Sequence, residues 1–314
     1  MKNDINDLTF IDLWNEYSKL KKIKLKVDSY RKIKNLYEKH IVPYFKDYIV
    51  KDIDINVYID WMIKIEEKGY ANSYNKSIHG ALVSILNFAM KFHGLQYNIA
   101  SQIGGFNNKK KVVKQKIDCW TLEEFQKFIS KVDDPLYNLF FTTLFFTGLR
   151  LGECTALTWN DYDKNYFDIN KTLLKEKDIN GNYIINSPKT TSSIRKVRLD
   201  KHLIKKLNKL YKEEKKKENF TNNWFIFGGE KPLSQTTIGR KKDKYCEIAD
   251  IKKIRLHDFR HSHATLLLSS GIPITYISKR LGHSDIAMTL NTYSHFVQND
   301  EEIAIEKLSQ FNHK

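Results

Sequence analysis

Residues 255–271 read RLHDFRHSHATLLLSSG and combine a charged beginning with an apolar continuation. His257 and Arg260 are three residues apart, so a helix presents both side chains on one face. Ala264 and the three leucines at 266–268 favour packing of the same helix in a core. The stretch therefore predicts a core helix that carries a histidine and an arginine as functional residues.

A second histidine in this stretch allows another interpretation. His261 follows His257 by four residues, a spacing that can also hold zinc on a helix. However, the HExxH pattern is absent, a third ligand would have to come from elsewhere, and Arg260 between the two histidines would repel a cation. We therefore interpret His261 as structural and expect no metal. A zinc-dependent hydrolase is the alternative, and it predicts loss of activity with a chelator.

Two earlier segments carry cationic groups that suit a phosphate. TGLRLGEC places Arg150 in a glycine-flanked turn, where its guanidinium fork could match phosphate oxygens and Glu153 could support it. SPKTTSSIRKVRL places Lys189 at a β-turn between two strands. An ammonium at such a turn could reach a groove and give a proton to a leaving oxygen. Each segment alone is weak evidence, because charged turn residues are most often merely solvated.

A fourth segment, LGHSDIAMTLNTYSH, places His283 after a glycine at a helix end and Tyr293 ten residues later. The chain has 17 tyrosines, so Tyr293 is singled out only by its neighbours in the pattern. In this order, the four segments resemble the tyrosine recombinase, or phage-type integrase, family. That family has an Arg in a TGLRxGE turn, a Lys in a β-hairpin, HxxR, a His or Trp after LG, and then a Tyr. The matching residues are Arg150, Lys189, His257, Arg260, His283 and Tyr293.

The resemblance implies a covalent mechanism. Tyr293 would attack a DNA phosphodiester and leave a 3′-phosphotyrosine and a free 5′-hydroxyl. The two arginines and two histidines of the set would stabilise the charge that develops on the phosphate. His257 would be the general base and Lys189 the general acid. Because the covalent link conserves the energy of the broken bond, we expect no cofactor, and no GxxxxGK[ST] phosphate loop is present.

The length of 314 residues and the hydrophobic content of 41% are sufficient for two cores. Helical periodicity and the resemblance predict a helical, SAM-like core-DNA-binding domain over residues 1–106. A lysine-rich linker is expected over residues 107–117, and a catalytic domain with a C-terminal tail over residues 118–314. Strand-like patterns lie between about residues 166 and 199, so we expect a mainly α fold with a small antiparallel β-sheet.

The charge is strongly positive, with 53 Lys plus Arg against 37 Asp plus Glu and a formal net charge of +16. Such a field attracts polyanions, and no strongly amphipathic basic helix indicates a membrane surface instead. Double-stranded DNA is therefore the expected partner. Five lysines of the linker are predicted to contact it, although an ordinary solvated connector is the alternative. These are Lys109, Lys110, Lys111, Lys114 and Lys116.

The three cysteines are scattered without a CxxC pair, and the N-terminus has no apolar signal core, so a cytoplasmic protein of a bacterial host is expected. The resemblance implies a homotetramer on DNA attachment sites, with recombination-directionality or DNA-bending proteins as accessory partners. Residues 301–311 are amphipathic and would dock on a neighbouring protomer or on their own domain. Many members of that family carry a further N-terminal domain that binds accessory arm sites on DNA. Because there is no room for it before Leu8, we expect either that the protein lacks it or that the chain is truncated.

The preferred function is a site-specific recombinase that integrates or excises a phage or another mobile element. Two alternatives keep the chemistry, namely relaxation of supercoils by a type IB topoisomerase and resolution of chromosome dimers. A third is a DNA-binding regulator that has the fold without catalysis. The complete set of six residues argues against that regulator, because a protein that only binds DNA does not need Tyr293.

Overall fold

The computed structural model describes residues 5–106, 118–178, 180–188 and 191–293, together with residues 305, 308 and 309. The chain divides into two compact units, Met1–Gln115 and Lys116–Lys314, called here the N-terminal and C-terminal units. No helix in the described part of the chain is both long enough and apolar enough to cross a membrane. The five linker lysines and Lys189 lie outside the described residues.

The described part of the N-terminal unit is helical. Its helices are α1 (Phe10–Lys24), α2 (Val27–Leu36), α3 (Val42–Phe45), α4 (Ile55–Glu66), α5 (Asn72–His93) and α6 (Ile99–Ile103). Asp54 begins α4 by accepting a hydrogen bond from the Val57 backbone N–H at 2.9 Å, as side-chain caps do. Aromatic side chains form much of the core, where Trp14 stacks on Tyr37 with ring centroids 4.3 Å apart.

The C-terminal unit is mainly helical with four short strands. The helices are α7 (Leu122–Ile129), α8 (Pro135–Thr147), α9 (Leu151–Ala156), α10 (Lys201–Glu214), α11 (Gln235–Ile248), α12 (Asp258–Ser269), α13 (Ile274–Leu281) and α14 (Ile286–Tyr293). The strands are β1 (Tyr166–Ile169), β2 (Thr172–Lys177), β3 (Tyr183–Asn186) and β4 (Arg195–Arg198). The mainly α fold with small antiparallel sheets is thus confirmed.

The strands pair as two antiparallel ribbons, β1 with β4 and β2 with β3. Phe167 of β1 lies opposite Val197 of β4, and both side chains are buried in the core. Burial of this pair explains why β4 pairs with the distant β1. The strands on either side of Lys189, β3 and β4, therefore belong to different ribbons among the described residues, whereas the sequence suggested that they flank a single hairpin turn.

Helix α8 is the centre of the C-terminal core. Phe145 of α8 stacks on Phe125 of α7 at 3.8 Å between centroids, and Phe141 stacks on Phe259 of α12 at 5.8 Å. A helix that is apolar on all sides is expected to be buried, and most residues of α8 are buried. Packing of α12 against α8 brings the beginning of α12 close to the end of α8 at Gly148, and the candidate site lies there.

Candidate active site

Arg260 holds three chain segments together. Its side chain is only 3% exposed, and its guanidinium donates hydrogen bonds to the Gly148 carbonyl at 3.0 Å and the Leu281 carbonyl at 2.7 Å. Both acceptors lie at helix C-termini, where carbonyls lack partners within their own helix. Burial, and then the charge of Arg150, lower the pKa of Arg260 to about 9, so the group is still protonated at neutral pH.

Gly148 makes the close approach of α8, α12 and α13 possible. It ends α8 in the left-handed conformation, with φ of 68°. A Cβ atom at this position would lie 2.5 Å from the Cδ2 of His263 and 2.8 Å from the Cδ2 of Leu281. Only glycine therefore fits between α8, α12 and α13 at this point.

Arg150 lies two residues after Gly148 and just before α9. Its side chain is 36% exposed, and its Nη1 donates to the Glu153 Oε1 at 2.8 Å. The other carboxylate oxygen of Glu153 accepts a hydrogen bond from the Arg150 backbone N–H at 2.9 Å, so Glu153 binds both the backbone and the side chain of Arg150. Arg150 is thus oriented by a carboxylate, yet it is far more open to an incoming phosphate than Arg260 is.

Glu153 also binds a residue that sequence reasoning missed, Arg195 of β4. The guanidinium of Arg195 donates to both carboxylate oxygens of Glu153, at 3.2 and 2.9 Å, and its Nε donates to the Arg280 carbonyl at 2.7 Å. Burial alone would raise the pKa of Glu153, but Arg195 and Arg150 outweigh it and hold the pKa below its ordinary value. The alternation of β4 was an available signal, because it places Arg195 on the same face as the buried Val197.

His257 is the residue just before α12, which begins at Asp258, so it caps the helix and is not part of it. Its ring lies edge-on to the ring of His261, with centroids 5.2 Å apart. Desolvation, followed by the charge of Arg260, lowers the pKa of His257. His257 is therefore largely neutral at physiological pH and can accept a proton.

Tyr293 is 1% exposed and packs with Ala264, Ile277 and Leu281. Its hydroxyl is 2.7 Å from the Nδ1 of His261. Burial raises the pKa of Tyr293 although the nearby charge of Arg260 opposes this, and burial lowers the pKa of His261 to about 4. In this arrangement the phenol keeps its proton and the imidazole is neutral. The sequence interpretation treated His261 as structural, because spacing alone does not show which side chain lies against it.

His283 follows Gly282, which ends α13 with φ of 68°. The Nδ1 of His283 is 2.7 Å from the Oγ1 of Thr289 in α14. Burial, then the charges of Arg260 and Arg150, lower the pKa of His283 to about 4. His283 is thus a neutral imidazole in a cationic surrounding.

Five of the six residues of the sequence pattern come together in one region of the C-terminal unit, and Glu153, Arg195 and His261 join them there. Lys189, the sixth, falls outside the described residues. A cleft of about 840 Å³ opens beside His283 and is lined by Lys196, Arg198 and Lys279 among others. Among the described residues, no three His, Cys, Asp or Glu side chains are grouped so that they could hold a metal ion. The region thus combines cationic side chains with an open cleft beside His283.

Comparison with known proteins gives matches over both units. Residues 120–300 match the model of the phage integrase family, and residues 9–65 match the SAM-like N-terminal domain of phage integrases. The ICEBs1 integrase of Bacillus subtilis (strain 168) is 32% identical over 293 residues, which cover 90% of this chain and 78% of that protein. A XerC-like tyrosine recombinase of Caldanaerobacter subterraneus subsp. tengcongensis is 28% identical, covering 87% of this chain and 76% of that protein.

Solved structures give the same fold. The Tn1549 transposon integrase in complex with transposon right end DNA superposes with a TM-score of 0.75 at 20% identity, covering 96% of this chain and all of that one. The lambda integrase dimer bound to a COC′ core site gives a TM-score of 0.65 at 17% identity, covering 91% and 95%. The family model covers more than half of the sequence, and the fold agrees with it. The chain therefore belongs to the phage integrase family, whose members are tyrosine recombinases that cleave and rejoin DNA strands.

Proposed function

We propose that this protein integrates and excises a mobile genetic element by site-specific strand exchange, with Tyr293 as the nucleophile. The observation that carries the proposal is the convergence of Tyr293 with the guanidiniums of Arg150 and Arg260 and with neutral imidazoles, one of which, His283, lines a cationic cleft. The match to the phage integrase family and the likeness to the Tn1549 transposon integrase support a mobile element as the source.

Each cationic residue has a separate task in this proposal. Arg150, which is partly exposed and oriented by Glu153, is suited to receive the phosphate through its guanidinium fork. Arg260 is fixed by two backbone carbonyls and supplies a charge that needs no reorganisation during the reaction. Preorganised donors of this kind contribute on the order of 10²–10³-fold each to a rate. Lys189 is assigned as the general acid for the leaving 5′-oxygen by the family pattern.

The phenolic proton has to leave Tyr293 as the bond to phosphorus forms. The nearest acceptor is the Nδ1 of His261, and the ring of His257, which is exposed, lies next to it. We assign this histidine pair as the route by which the proton leaves the buried phenol, with His257 as the general base at its outer end. The charge of Arg260 favours the phenolate, and an anionic phosphate would favour protonation of the histidines.

We infer the assembly from the resemblance to the family. A homotetramer on two duplex sites would exchange strands in two steps, and directionality or DNA-bending proteins would be its accessory partners. A DNA substrate of this type supports the bacterial cytoplasm as the location. The lysine-rich linker, with Lys109 through Lys111, Lys114 and Lys116, is assigned to phosphate contacts. Such contacts predict a steep loss of DNA affinity with salt.

The test is capture of the covalent intermediate. The full chain is mixed with a pool of nicked duplexes that carry a randomised core, and the protein–DNA adducts are isolated under denaturing conditions. Because the nick releases the 5′-hydroxyl strand, rejoining is prevented and adducts accumulate. Sequencing of the captured duplexes gives the preferred site, which is then synthesised for kinetics.

Three variants decide the assignment. Tyr293→Phe should form no adduct, whereas Tyr97→Phe, at an exposed tyrosine of the N-terminal unit, should behave as wild type. Arg150→Ala should lower the rate of adduct formation by about 10²-fold or more. An adduct in the Tyr293→Phe variant, or a phosphotyrosine peptide that lacks residue 293, would refute the assignment. Relaxation of plasmids without a preferred site would favour the topoisomerase alternative.

A further inference from the structure

Helix α14 buries two hydroxyl groups one turn apart, those of Thr289 (0% exposed) and Tyr293. The hydroxyl of Thr289 lies 2.7 Å from the Nδ1 of His283. Thr292, three residues later in the same helix, instead donates to the Met288 carbonyl at 2.6 Å, the usual choice of a helical threonine. The hydrogen bond of Thr289 to His283 is therefore specific to this site and is not the usual bond of a helical threonine to its own backbone.

The direction of this hydrogen bond can be deduced. A hydroxyl group has one proton, and a buried hydroxyl donates it to an acceptor. Within the described part of the chain, the Nδ1 of His283 is the hydrogen-bond partner found for Thr289. The hydroxyl thus donates and Nδ1 accepts. Because a neutral imidazole carries its proton on the nitrogen that does not accept, His283 is protonated at Nε2.

The protonated nitrogen is the one that is useful to the reaction. Nε2 lies on the ring edge away from Thr289, and the charges of Arg260 and Arg150 act on the ring. An Nε2–H group can donate to an anionic phosphate oxygen, whereas an unprotonated Nε2 would present a lone pair and repel it. The identity of the tautomer therefore decides whether His283 stabilises or destabilises a bound phosphate.

We propose that Thr289 is a positioning residue that holds His283 in its Nε2–H tautomer, so that this imidazole donates a hydrogen bond to the scissile phosphate. The inference rests on the proposed role of His283 in the reaction. Thr289 and Tyr293 lie one turn apart in α14, so the same hydrogen bond also fixes the helix that carries the nucleophile. This contact thereby links the position of the phosphate donor to that of the helix carrying the attacking group.

Thr289→Val tests this proposal, because valine keeps the branched shape and removes only the hydroxyl. Thr289→Ser restores the hydroxyl, and Thr292→Val removes a hydroxyl from the same helix outside the site. Supporting groups of this kind typically change activity by about 10- to 100-fold. We expect that loss in the rate of adduct formation for Thr289→Val with unchanged DNA affinity, and nearly wild-type rates for the two other variants. A wild-type rate in Thr289→Val would overturn the proposal.

A measurement on the wild-type protein without DNA is independent of the variants. The ¹⁵N chemical shifts of the His283 imidazole distinguish the two tautomers, with a His283→Gln spectrum to assign the signals. The Nε2–H form is expected in wild type, and a mixture of both forms in Thr289→Val. An Nδ1–H form in wild type would refute the proposal even if every variant folds poorly. Since this readout needs no reaction, it stands apart from the test of Tyr293 as the nucleophile.

Discussion

Replacement of Gly148 by alanine tests the packing on which the site depends, and Gly271 offers a matched control. Both glycines lie at helix ends in the C-terminal unit with positive φ, 68° at Gly148 and 73° at Gly271. A Cβ atom at Gly148 would lie 2.5 Å from His263 and 2.8 Å from Leu281, whereas nothing lies within 4 Å of the same atom at Gly271. The two substitutions thus share a backbone cost and differ in steric conflict.

The magnitudes follow from these two terms. A left-handed conformation costs an alanine about 1–2 kcal/mol at either position. Crowding of a well-packed core adds about 1–3 kcal/mol at Gly148 only, because His263 and Leu281 are themselves buried. We therefore expect Gly148→Ala to lower the free energy of unfolding by about 2–5 kcal/mol and Gly271→Ala by about 1–2 kcal/mol.

Urea unfolding of the full chain measures the difference, and loss of adduct-forming activity identifies the transition that belongs to the C-terminal unit. Activity is a second readout, because the Gly148 carbonyl accepts a hydrogen bond from Arg260 at 3.0 Å. Gly148→Ala should slow adduct formation below its melting range, and Gly271→Ala should not. Equal destabilisation by the two variants would show that His263 and Leu281 move aside freely, and the argument for a rigid site would fail.

Three other predictions concern buried polar groups of the same unit. Glu153→Ala leaves the buried Arg195 without its carboxylate, so the free energy of unfolding should fall by about 3–5 kcal/mol; a loss below about 1 kcal/mol would contradict the ion pair as described. Burial lowers the pKa of His263 to about 3, so as the pH falls below about 6.5 the unfolded chain binds a proton that the folded chain does not. From this residue alone, stability should fall by about 2 kcal/mol between pH 7 and pH 5, and equal urea midpoints at the two pH values would refute it. His261→Leu removes the acceptor of the buried Tyr293 hydroxyl and should cost about 1–3 kcal/mol as well as slow adduct formation, whereas full activity would exclude His261 from the proton route.

Local signals allowed much of the fold to be predicted from the sequence. Thr121 and Glu124 form the capping box that begins α7, and Gly148 ends α8 directly after an apolar run; both patterns can be recognised in the sequence. Both features depend on residues only a few positions apart. The order of the recombinase motifs then identified the family, because each motif fixes a short local structure that needs no knowledge of distant contacts.

Contacts between distant residues were not predictable in the same way. Arg195 and Thr289 belong to the site through side-chain hydrogen bonds, and nothing in their immediate sequence requires those partners. Similarly, β4 pairs with β1 because Phe167 and Val197 are buried together, and the turn chemistry near Lys189 does not specify this pairing. The residues proposed to contact the reacting groups are found by pattern, whereas those that orient them emerge from packing.

The charges of the site explain why these orienting residues matter. Arg150 and Arg195 both bond to the carboxylate of Glu153, whereas Arg260 donates to two backbone carbonyls. Among the described groups that bond directly to these three guanidiniums, there is thus one carboxylate. The excess of two positive charges suits a phosphodiester, whose transition state for attack by an oxygen carries about two negative charges. Burial, and then the same excess of charge, lowers the pKa of His283, so this histidine remains neutral and adds no further repulsion. Because like charges so close together are unfavourable without a counterion, binding of the DNA phosphate relieves a repulsion that is already present in the free protein. The positive charge of the site is therefore complementary to the negative charge of the transition state. On our proposal, the neutral hydroxyl of Thr289 holds His283 as a hydrogen-bond donor, which adds a donor to the site without adding a charge.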